Sequence, residues 1–492
     1  MSEAGSAPAP DGDFIVDASW VVAYRDGAPY LLRDGSIRVR EDRIVEVGEG
    51  PIRGNARRID ARGQLALPGF ICGHSHITGG TCTRGIVEQG RGFMRPFEFA
   101  AWLEDDDDVD ALTALNLSEL LRSGCTTHVE MSLSQRHLES FVRVARQWGV
   151  RAYPGASMPG FDRLGSIWHK GDETLRNSGP GTLEDVEAYR RFALGVNLAD
   201  DGRIRPMVAP HGPDTNTPET LSAALELARE LGNGLQIHLA RLVEEMETVE
   251  RLWGHDSVDL LDELGFFSER VFAAHLSCMD LARDLPRLAE HPNFTFVHCP
   301  SGGGAGTIAG TQPYPDALAA GVNTSIGIDT HSNDFLENIK LAVITGRARC
   351  WLTRDTSQVP LKVPSAWDAV NSATVNAANG LGREDLGRIE PGAKADLCLV
   401  DVTGPLVGAG ASPPEPLNNL LYANGLSVRT VITDGNIQLL DGELKIDDEA
   451  RIRERGAAAT EKIWEQLRED GWFDGTPEFP PRWPYSTSPA KD

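Results

Sequence analysis

Cysteine is sparse in this 492-residue chain and shows no paired spacing. The seven cysteines are odd in number and scattered, and no Cys-x-x-Cys pair occurs, so the sequence predicts neither a disulfide framework nor a cysteine-based zinc site. Long apolar runs are missing as well, since no stretch approaches the length of a membrane span. Residues 1–12 are small, contain proline and lack the apolar core of a signal peptide, which favours a cytoplasmic location.

Positive charge is also in deficit, with 47 lysine and arginine residues against 72 aspartate and glutamate residues and a formal net charge of −25. An acidic surface repels the phosphates of nucleic acids and of anionic membranes, so the expected partner is a small-molecule substrate. A chain of this length buries a sizeable core without cross-links. The Pro-rich and aromatic segment from Trp472 to Tyr485 is expected to pack on the surface or on a second subunit, and we expect a homo-oligomer, a dimer or larger.

The middle of the chain alternates between strand-like and helix-like segments, the order typical of parallel α/β proteins. Apolar runs bounded by breakers predict eight strands, at Leu65–Cys72, Thr126–Met131, Arg151–Gly155, Ile204–Pro210, Gly234–Leu239, Val271–His275, Phe294–Cys299 and Val322–Asp329. Helical periodicity predicts helices at Val109–Arg122, Leu138–Trp148, Pro218–Leu231, Val243–Trp253, Ser257–Leu264 and Leu281–Glu290. Polar residues follow several of these strands and converge only if the sheet closes, which favours a TIM-type (β/α)8 barrel over an open sheet.

Both ends of the chain carry shorter strands with a different pattern. Residues 14–47 predict short strands separated by turns, and residues 395–400, 428–433 and 437–440 predict further ones. We therefore expect a small β domain, a β-sandwich, built from both chain ends. The expected boundaries are 1–64 and 389–445 for its two parts, 65–388 for the barrel, and 446–492 for a charged helix and the C-terminal tail.

The most informative segment is Gly73-His74-Ser75-His76, which follows the first predicted strand of the barrel. Side chains two residues apart on a strand share one face, so His74 and His76 present their imidazoles side by side at the carboxyl end. This spacing builds half of a metal site on a strand, although two hydrogen-bonded histidines in a loop would show the same pattern.

Three further polar residues end later strands: His238 ends the fifth, His275 the sixth and Asp329 the eighth. One buried histidine at a strand end is often only a hydrogen-bonded structural residue, but this set beside the His-x-His pair is difficult to explain in that way. Histidine nitrogens and one carboxylate suit a divalent transition metal that holds a reactive water molecule. The sequence therefore predicts a metal site at the carboxyl ends of the strands.

These segments resemble the metal-dependent amidohydrolase superfamily, in particular its cytosine deaminase-like and triazine hydrolase-like branch. The resemblance is carried by Pro68-Gly69-Phe70-Ile71-Cys72-Gly73-His74-Ser75-His76, Gln236-Ile237-His238-Leu239-Ala240, Ala274-His275, Val297-His298-Cys299-Pro300, Gly327-Ile328-Asp329 and Pro391-Gly392-Ala393-Lys394-Ala395-Asp396-Leu397. It covers nearly the whole chain and implies hydrolysis by attack of a metal-bound hydroxide.

By this resemblance the metal ligands are His74, His76, His238 and Asp329. The resemblance also implies that His275 hydrogen-bonds the metal-bound water or the polarised atom of the substrate, and that Asp329 transfers the water's proton to the leaving group. Relatives with two metals often bridge them with a carboxylated lysine, but lysines are few here and none ends a predicted central strand. We therefore expect one divalent metal ion per chain, zinc before iron, manganese or cobalt.

One departure from the family concerns proton transfer to a heterocycle. Family deaminases usually carry a glutamate three residues after the fifth-strand histidine, and this chain has Arg241 there. A guanidinium stays protonated and does not shuttle protons, so Arg241 is expected either to bind a substrate carbonyl or carboxylate or to form a salt bridge. Glu244 or Glu245 could take over the role of the missing glutamate, but each is expected rather to be a solvated charge on the face of the next helix.

Other candidates carry less specific signals. The glycine-rich segment Ser301–Gly306 lacks the Gly-Lys-Ser/Thr ending of a phosphate-binding loop and is expected to shape the pocket mouth. His211, at the end of the fourth strand, either contacts substrate or hydrogen-bonds nearby backbone, and we favour the substrate role. The remaining candidates are His128 and Glu130, as barrel-mouth residues or a hydrogen-bonded polar layer; His331 and Asn333, as supports of the ligands; and Phe93, Phe97, Phe99 and Trp102, as a cover for an aryl group or ordinary packing.

Two functions follow. We favour hydrolysis of a non-peptide C–N bond in an N-substituted amide, urea or carbamate, with release of an amine, because such substrates need no proton transfer to a ring nitrogen. The alternative is deamination or dechlorination of a purine-, pyrimidine- or s-triazine-type heterocycle. A catalytically silent relative would have lost metal ligands, and all of them are present here.

Overall fold

The computed structural model describes residues 11–77, 79–88, 94–164, 182–302 and 311–474. The strands are β1 Asp13–Arg25, β2 Ala28–Arg40, β3 Arg43–Glu49, β4 Arg57–Pro68, β5 Phe70–Ser75, β6 Cys125–Ser132, β7 Arg151–Ala156, β8 Leu235–Leu239, β9 Val271–His275, β10 Phe294–His298, β11 Asn323–Ile326, β12 Leu397–Asp401, β13 Val428–Thr433, β14 Asn436–Leu440 and β15 Glu443–Leu444. The helices are α1 Met94–Ala101, α2 Asp106–Arg122, α3 Gln135–Trp148, α4 Leu183–Val196, α5 Pro218–Leu231, α6 Val243–Trp253, α7 Ser257–Glu263, α8 Leu281–Ala289, α9 Tyr314–Ala320, α10 Phe335–Thr353, α11 Ala366–Ala373, α12 Val375–Gly380 and α13 Glu449–Glu469, with single turns at Gly80–Thr83 and Ala199–Gly202. The predictions for α5 and α6 are confirmed to the residue.

Strands from the two ends of the chain share one eight-stranded sheet with the order β15-β14-β13-β12-β4-β1-β2-β3. Strand β4 lies inside this sheet, where it pairs in parallel with β1 and antiparallel with β12. A buried apolar cluster that includes Phe14, Ile37, Ile59 and Leu397 joins the strands of both ends. Both chain ends thus contribute to one β unit, and its expected form as a two-layered sandwich stays a prediction.

Two parallel sheets occupy the middle of the chain, with the orders β5-β6-β7 and β11-β10-β9-β8. Isolated bridges link their edges: Ser75 pairs with Asp329, Ala152 with Ile204, and Val208 with Leu235. One buried cluster draws apolar side chains from β5, β6, β7, β9, β10 and the segment 204–210, among them Ile71, Val129, Tyr153, Met207, Phe272, Ala274 and Val297. The two parallel sheets therefore share an apolar cluster, and helices lie between successive strands along the chain.

The predicted strand Leu65–Cys72 is two strands in the structure. Strand β4 ends at Pro68 in the eight-stranded sheet, and β5 begins at Phe70 in the parallel sheet. The chain changes sheets at Gly69, where an added Cβ would lie 2.3 Å from Oγ1 of Thr126. Glycine is thus the residue that fits this close approach.

The predicted fourth strand, Ile204–Pro210, is present only as isolated bridges. Pro206 and Pro210 lack the backbone N–H that a ladder of hydrogen bonds requires. The segment still follows the neighbouring strands, because Val208 N–H donates to the carbonyl oxygen of Gly234 (3.2 Å). It occupies the position of a strand without the regular pairing of one.

The charged C-terminal helix α13 packs over the region that precedes α2. Nε1 of Trp464 donates to the carbonyl oxygen of Cys82 (2.8 Å), and Ile463 shares a buried cluster with Phe97. Trp472 packs against the same cluster, while residues 475–485 of the predicted aromatic segment lie outside the described residues. Within the described ranges, no helix combines the length and the apolar character that crossing a bilayer requires.

Candidate metal centre and active site

The carboxyl ends of the parallel strands bring the predicted ligands together. One donor atom each from His74, His238, His275 and Asp329 lies within 4.8 Å of the others, and all four residues are buried. His76 joins them, because its Nε2 lies 3.3 Å from Nε2 of His238 and 3.5 Å from Oδ1 of Asp329. The five predicted metal-site and catalytic residues thus form one cluster, whose individual roles stay predictions.

The spacing of the nitrogens matches a four-coordinate metal. Nε2 of His238 lies 3.2 Å from Nε2 of His74 and 3.3 Å from Nε2 of His76. Zinc–nitrogen bonds of about 2.0–2.1 Å at tetrahedral angles place neighbouring nitrogens about 3.3 Å apart. The residues present therefore fit one ion between the rings.

Hydrogen bonds at the far edges of two rings show why their near edges suit a cation. Nδ1 of His76 donates to the carbonyl oxygen of Met131 (2.7 Å), and Nδ1 of His238 donates to that of His211 (2.6 Å). A neutral imidazole carries one N–H, so both Nε2 atoms present lone pairs, which face each other at 3.3 Å. Two acceptors at this distance repel unless a cation lies between them, and such anchoring of Nδ1 is typical of metal-ligating histidines.

Burial keeps the rings of the cluster neutral. Burial lowers the pKa of His76 to about 4, and burial together with the charge of Arg241 lowers the pKa of His275 to about 3. Burial and the neighbouring rings also hold the pKa values of His74 and His238 well below the usual value for histidine. The rings are therefore unprotonated at neutral pH, the form that binds metal ions.

Strained backbone marks the same region. His275 and Asp329 have φ angles of 85° and 56°, which residues other than glycine seldom adopt. Such conformations persist where the surrounding structure holds a functional geometry. Two glycines allow the close packing: a Cβ on Gly302 would lie 2.3 Å from Oδ2 of Asp329, and one on Gly327 would lie 2.8 Å from the carbonyl oxygen of His74.

His211 borders the cluster. Its ring centroid lies 4.6 Å from that of His238, and its Nδ1 is hydrogen-bonded to Oγ1 of Thr215 (3.2 Å). Phe161 stands edge-on to two of these rings, 5.2 Å from His76 and 5.5 Å from His211. The sequence offered no signal for Phe161, which follows β7 at no distinctive spacing. The substrate role of His211 stays a prediction that this placement permits.

The aromatic residues of the first loop divide into two groups. Phe97 is buried beside the cluster, with its ring 6.2 Å from His76 and 5.5 Å from Phe161. Phe99 instead packs edge-on against Trp102, at 5.4 Å. Phe93 lies outside the described residues. Phe97 is therefore the member of this group that the structure brings to the site.

Arg241 lies beside the cluster and is held by two carboxylates. Its Nη2 donates to Oδ2 of Asp214 (2.6 Å), and its Nη1 lies 3.5 Å from Oε2 of Glu245. Burial lowers the pKa of Arg241, but the two carboxylates outweigh burial and raise it overall. After burial itself, the charge of Arg241 is the largest cause of the lowered pKa values of His211 and His275. The guanidinium therefore acts electrostatically on the metal cluster, in addition to forming the expected salt bridge.

The prediction that Glu245 is a solvated charge is wrong. Glu245 is 1% exposed and accepts hydrogen bonds from the backbone N–H groups of Ala240 (2.7 Å) and Arg241 (3.0 Å). Burial raises the pKa of its carboxyl group. Glu244, by contrast, is exposed as expected. Glu245 on α6 thus anchors the backbone of the loop after β8 through these two hydrogen bonds.

Glu130 and His128, two polar residues of β6, differ in their hydrogen bonding. Glu130 is fully buried and accepts hydrogen bonds from Ser75, Ile77 and Ser132. His128 is fully buried as well, and among the described residues neither of its ring nitrogens has a hydrogen-bond partner. Two roles are expected for this pair, and the role of a hydrogen-bonded polar layer is the one that fits Glu130.

Residues after Asp329 tie the ligand loop to neighbouring helices. Nδ1 of His331 is hydrogen-bonded to Oγ1 of Thr83 (2.9 Å), and Nδ2 of Asn333 donates to Oδ1 of Asn116 (2.7 Å). These bonds hold the loop from outside the cluster. Of the predicted mouth-shaping segment Ser301–Gly306, residues 303–306 lie outside the described residues.

The fold and the donor set together define a metal-dependent hydrolase. The chain belongs to the amidohydrolase family, whose model matches residues 65–438. A 5-methylthioadenosine/S-adenosylhomocysteine deaminase of Moorella thermoacetica is 32% identical over 445 residues, which cover 86% of this chain and 94% of that protein. A 5'-deoxyadenosine deaminase of Methanosarcina mazei is 28% identical over 466 residues, which cover 92% and 98%.

Solved structures share the fold. The zinc complex of an atrazine chlorohydrolase from Arthrobacter aurescens matches with a TM-score of 0.75 at 23% identity, covering 91% of this chain and 100% of that one. An adenosine deaminase of Xanthomonas campestris with bound zinc matches with a TM-score of 0.75 at 24% identity, covering 93% and 100%. The family resemblance noted in the sequence is confirmed, and the chain is a hydrolase of carbon–nitrogen bonds.

Proposed function

We propose that this enzyme hydrolyses the C–N bond of an N-substituted amide, urea or carbamate and releases an amine. The observation that carries the proposal is the buried guanidinium of Arg241, which Asp214 and Glu245 fix beside the metal cluster. Family deaminases usually place at this position a glutamate that protonates a ring nitrogen, and a guanidinium does not transfer protons at neutral pH. An acyclic carbonyl substrate needs no such transfer, and a fixed N–H donor is what its oxygen requires.

His74, His76, His238 and Asp329 would hold the ion, since each of their donor atoms lies between 3.2 and 3.9 Å from two of the others in the cluster. Zinc is the expected metal because it occupies two of the related structures. When bound, a divalent ion lowers the pKa of a water molecule and polarises a carbonyl group. The chain's own groups then handle the protons. Asp329 accepts a proton from the attacking water and delivers it to the nitrogen of the departing amine.

Two groups stabilise the substrate oxygen as it gains negative charge. Nδ1 of His275 is buried and has no hydrogen-bond partner in the described residues, so it is available to the substrate. Arg241 supplies a fixed positive charge whose effect already reaches His275. His211 and Phe161 line the same region and contact the rest of the substrate. Fixed donors of this kind act in the transition state without reorganising.

We also infer that β5 to β11 and the bridged segment at 204–210 close into a (β/α)8 barrel within residues 65–388. The bridges on both sides of each parallel sheet support closure. The same proposal assigns 1–64 and 389–445 to the β domain and 446–492 to the C-terminal segment, although β4 continues in the eight-stranded sheet to Pro68. We further propose that the protein forms a homo-oligomer and is located in the cytoplasm.

A second candidate function is deamination of an adenosine-type purine. The two relatives reported above support it, since both are named for deamination of adenosine derivatives and cover most of this chain. Under this alternative, the proton for the ring nitrogen has to come from a group other than residue 241. Use of another proton donor would distinguish the mechanism of this enzyme from that of family deaminases.

The deciding experiment compares kcat/KM of the zinc-loaded enzyme on two panels. Phenylureas, anilides and carbamates form one panel; adenosine, 5'-deoxyadenosine, 5-methylthioadenosine and aminotriazines form the other. We expect the first panel to be favoured by at least about tenfold, which corresponds to 1.4 kcal/mol. A clear preference for the heterocycles would refute the main proposal and support the second candidate.

Variants of Arg241 test the reason for the preference. Arg241→Gln should lower kcat/KM on the first panel about 10- to 100-fold, the worth of a hydrogen bond from a charged donor. Arg241→Glu restores the carboxylate of family deaminases and should raise turnover of the heterocycles. If wild type prefers heterocycles and Arg241→Glu changes their turnover only slightly, another residue supplies the proton.

A further inference from the structure

We propose that Glu130 is a positioning residue whose buried carboxyl group holds the residues on both sides of His76 and thereby sets the geometry of the metal ligands. The inference rests on the metal-dependent function proposed above. Its test measures metal binding rather than turnover, so the role of Glu130 and the proposed function can be refuted independently.

The carboxyl group of Glu130 accepts hydrogen bonds from the residues on both sides of the metal ligand His76. Oγ of Ser75 donates to Oε2 of Glu130 (2.7 Å), and N–H of Ile77 lies 3.0 Å from each carboxyl oxygen. Oγ of Ser132 donates to Oε1 (3.2 Å), which ties the group to its own strand. Ser75 and Ile77 are the residues immediately before and after His76. The hydrogen bonds of Glu130 to them, here called the Glu130 clamp, hold the side chain of Ser75 and the main chain of Ile77 on either side of that ligand.

The Glu130 clamp lies where regular strand pairing fails. The register of β5 and β6 shifts twice, between Phe70 and Ile71 and again between the pair Cys72–His128 and the pair Ser75–Glu130. Ladder hydrogen bonds are interrupted in this stretch, which contains His74. A buried backbone N–H requires an acceptor, and the side chain of Glu130 supplies one for Ile77.

The same part of β6 also orients the ring of His76 and reaches the strand of His238. The carbonyl oxygen of Met131 accepts the bond from Nδ1 of His76 (2.7 Å). The carbonyl oxygen of Glu130 accepts a bond from Nε2 of Gln236 (2.7 Å), two residues before His238. Strand β6 thus holds one ligand by main chain and side chain together and is linked to a second. Groups that orient ligands in this way change metal affinity about 10- to 100-fold when removed.

The test uses Glu130→Ala and Glu130→Gln, with Asp316→Asn as a matched control. Asp316 is also a buried carboxylate, but it pairs with Arg349 (2.6 Å) on the outer helices. Each variant is loaded with zinc and titrated with a competing chromophoric chelator. Each is also loaded with cobalt(II), whose visible absorption spectrum reports coordination geometry. The melting temperature of the metal-free protein is measured in parallel.

We expect Glu130→Ala to weaken zinc binding about 10- to 100-fold and to change the cobalt spectrum. Glu130→Gln keeps one acceptor oxygen and should restore part of the affinity and of the spectrum. Asp316→Asn should lower the melting temperature and leave both metal readouts at wild-type values. If Glu130→Ala does not fold, Ser75→Ala, which removes one hydrogen bond of the Glu130 clamp, should weaken zinc binding in the same direction by a smaller factor.

Wild-type zinc affinity and an unchanged cobalt spectrum in Glu130→Gln and Ser75→Ala would overturn the proposal, even if both variants were less stable. Weaker metal binding in these variants, in an enzyme that acts on neither substrate panel, would support the role of Glu130 and refute the proposed function.

Discussion

Nδ1 of His238 donates a hydrogen bond of 2.6 Å to the backbone carbonyl oxygen of His211, so one ligand ring is oriented by the main chain of a neighbouring segment. The ring of His211 is not needed for that bond and has its own partner in Thr215. Orientation of the ligand by the backbone of residue 211 and the substrate contact proposed for its side chain are therefore separable by mutation.

His211→Ala should keep the metal and weaken substrate binding. The carbonyl oxygen that holds His238 stays in place, while a side chain beside the cluster is removed. We expect the metal content of wild type and a decrease in kcat/KM of about tenfold, the worth of one hydrogen bond. Elemental analysis together with steady-state kinetics checks this. Loss of metal from His211→Ala would mean that its ring supports His238 after all.

One equivalent of metal should bind per chain. The nitrogens of His74, His76 and His238 stand at the spacing of one tetrahedral centre. Elemental analysis after gentle purification should give about one equivalent of a divalent ion, zinc before others, on this four-ligand geometry. His74→Ala or His238→Ala should lose the metal and the activity together. Two tightly bound equivalents in wild type would contradict the single-centre geometry.

Asp329→Asn should separate metal binding from proton transfer. The amide keeps an oxygen for the ion and the close packing against Gly302, but it no longer accepts a proton. We expect retained metal and a kcat lower by roughly a hundredfold or more, the usual scale of general-base catalysis. Turnover near wild type in metal-loaded Asp329→Asn would exclude Asp329 as the proton acceptor.

Arg151→Met should strongly destabilise the fold. Arg151 is fully buried and pairs with Asp434 (2.6 Å) and Asp396 (3.3 Å), which joins β7 to the β unit. Its loss leaves two buried carboxylates without their main partner, so we expect the free energy of unfolding in urea to fall by about 3–5 kcal/mol. Arg190→Met, which removes the exposed pair with Glu230, is the control and should change little. Equal effects of the two variants would show that the buried network is dispensable.

Acid should destabilise the protein partly through His298. This ring is buried, stacks on Tyr314 at 4.8 Å and is hydrogen-bonded to Gln312, and burial lowers its pKa to about 4. Below about pH 6.5 the unfolded chain binds a proton that the folded chain does not, so stability falls by about 1.4 kcal/mol per pH unit down to about pH 4. His298→Phe keeps the stack and should show a slope smaller by that amount in urea unfolding at several pH values. Identical slopes would mean that His298 titrates alike in both states.

The elements of this fold that depend on local pattern could be predicted from the sequence. The helices at Pro218–Leu231 and Val243–Trp253 match the prediction to the residue. Both end at a glycine, Gly232 and Gly254, and the first also begins with the signals Thr217 and Pro218. The break at Gly69 could not be seen, because the apolar run crosses from one sheet to another without a change in composition. Which neighbour a strand pairs with depends on contacts far away in sequence.

The metal cluster was predictable for a related reason. Parallel strands end on one side of a sheet, so polar residues at strand ends such as His74 and Asp329 come together whatever their separation in sequence. Their supports were not predictable. Asp214 precedes Arg241 by 27 residues and lies in a single 3-10 turn, Pro213–Thr215. Glu130 lies on a strand whose alternation permits either face. Hydrogen-bond partners of this kind leave no periodic signal.

The pairing of β4 with β12 has a consequence for protein synthesis. Pro68 at the end of β4 pairs with Leu397, so the partner of this strand is translated about 330 residues later. At about 5–20 residues per second, a nascent chain carries β4 with one edge open for roughly 15 to 65 s. An open edge pairs readily with strands of other chains. Aggregation on the ribosome, rather than instability of the finished enzyme, is therefore the risk that this topology sets for expression.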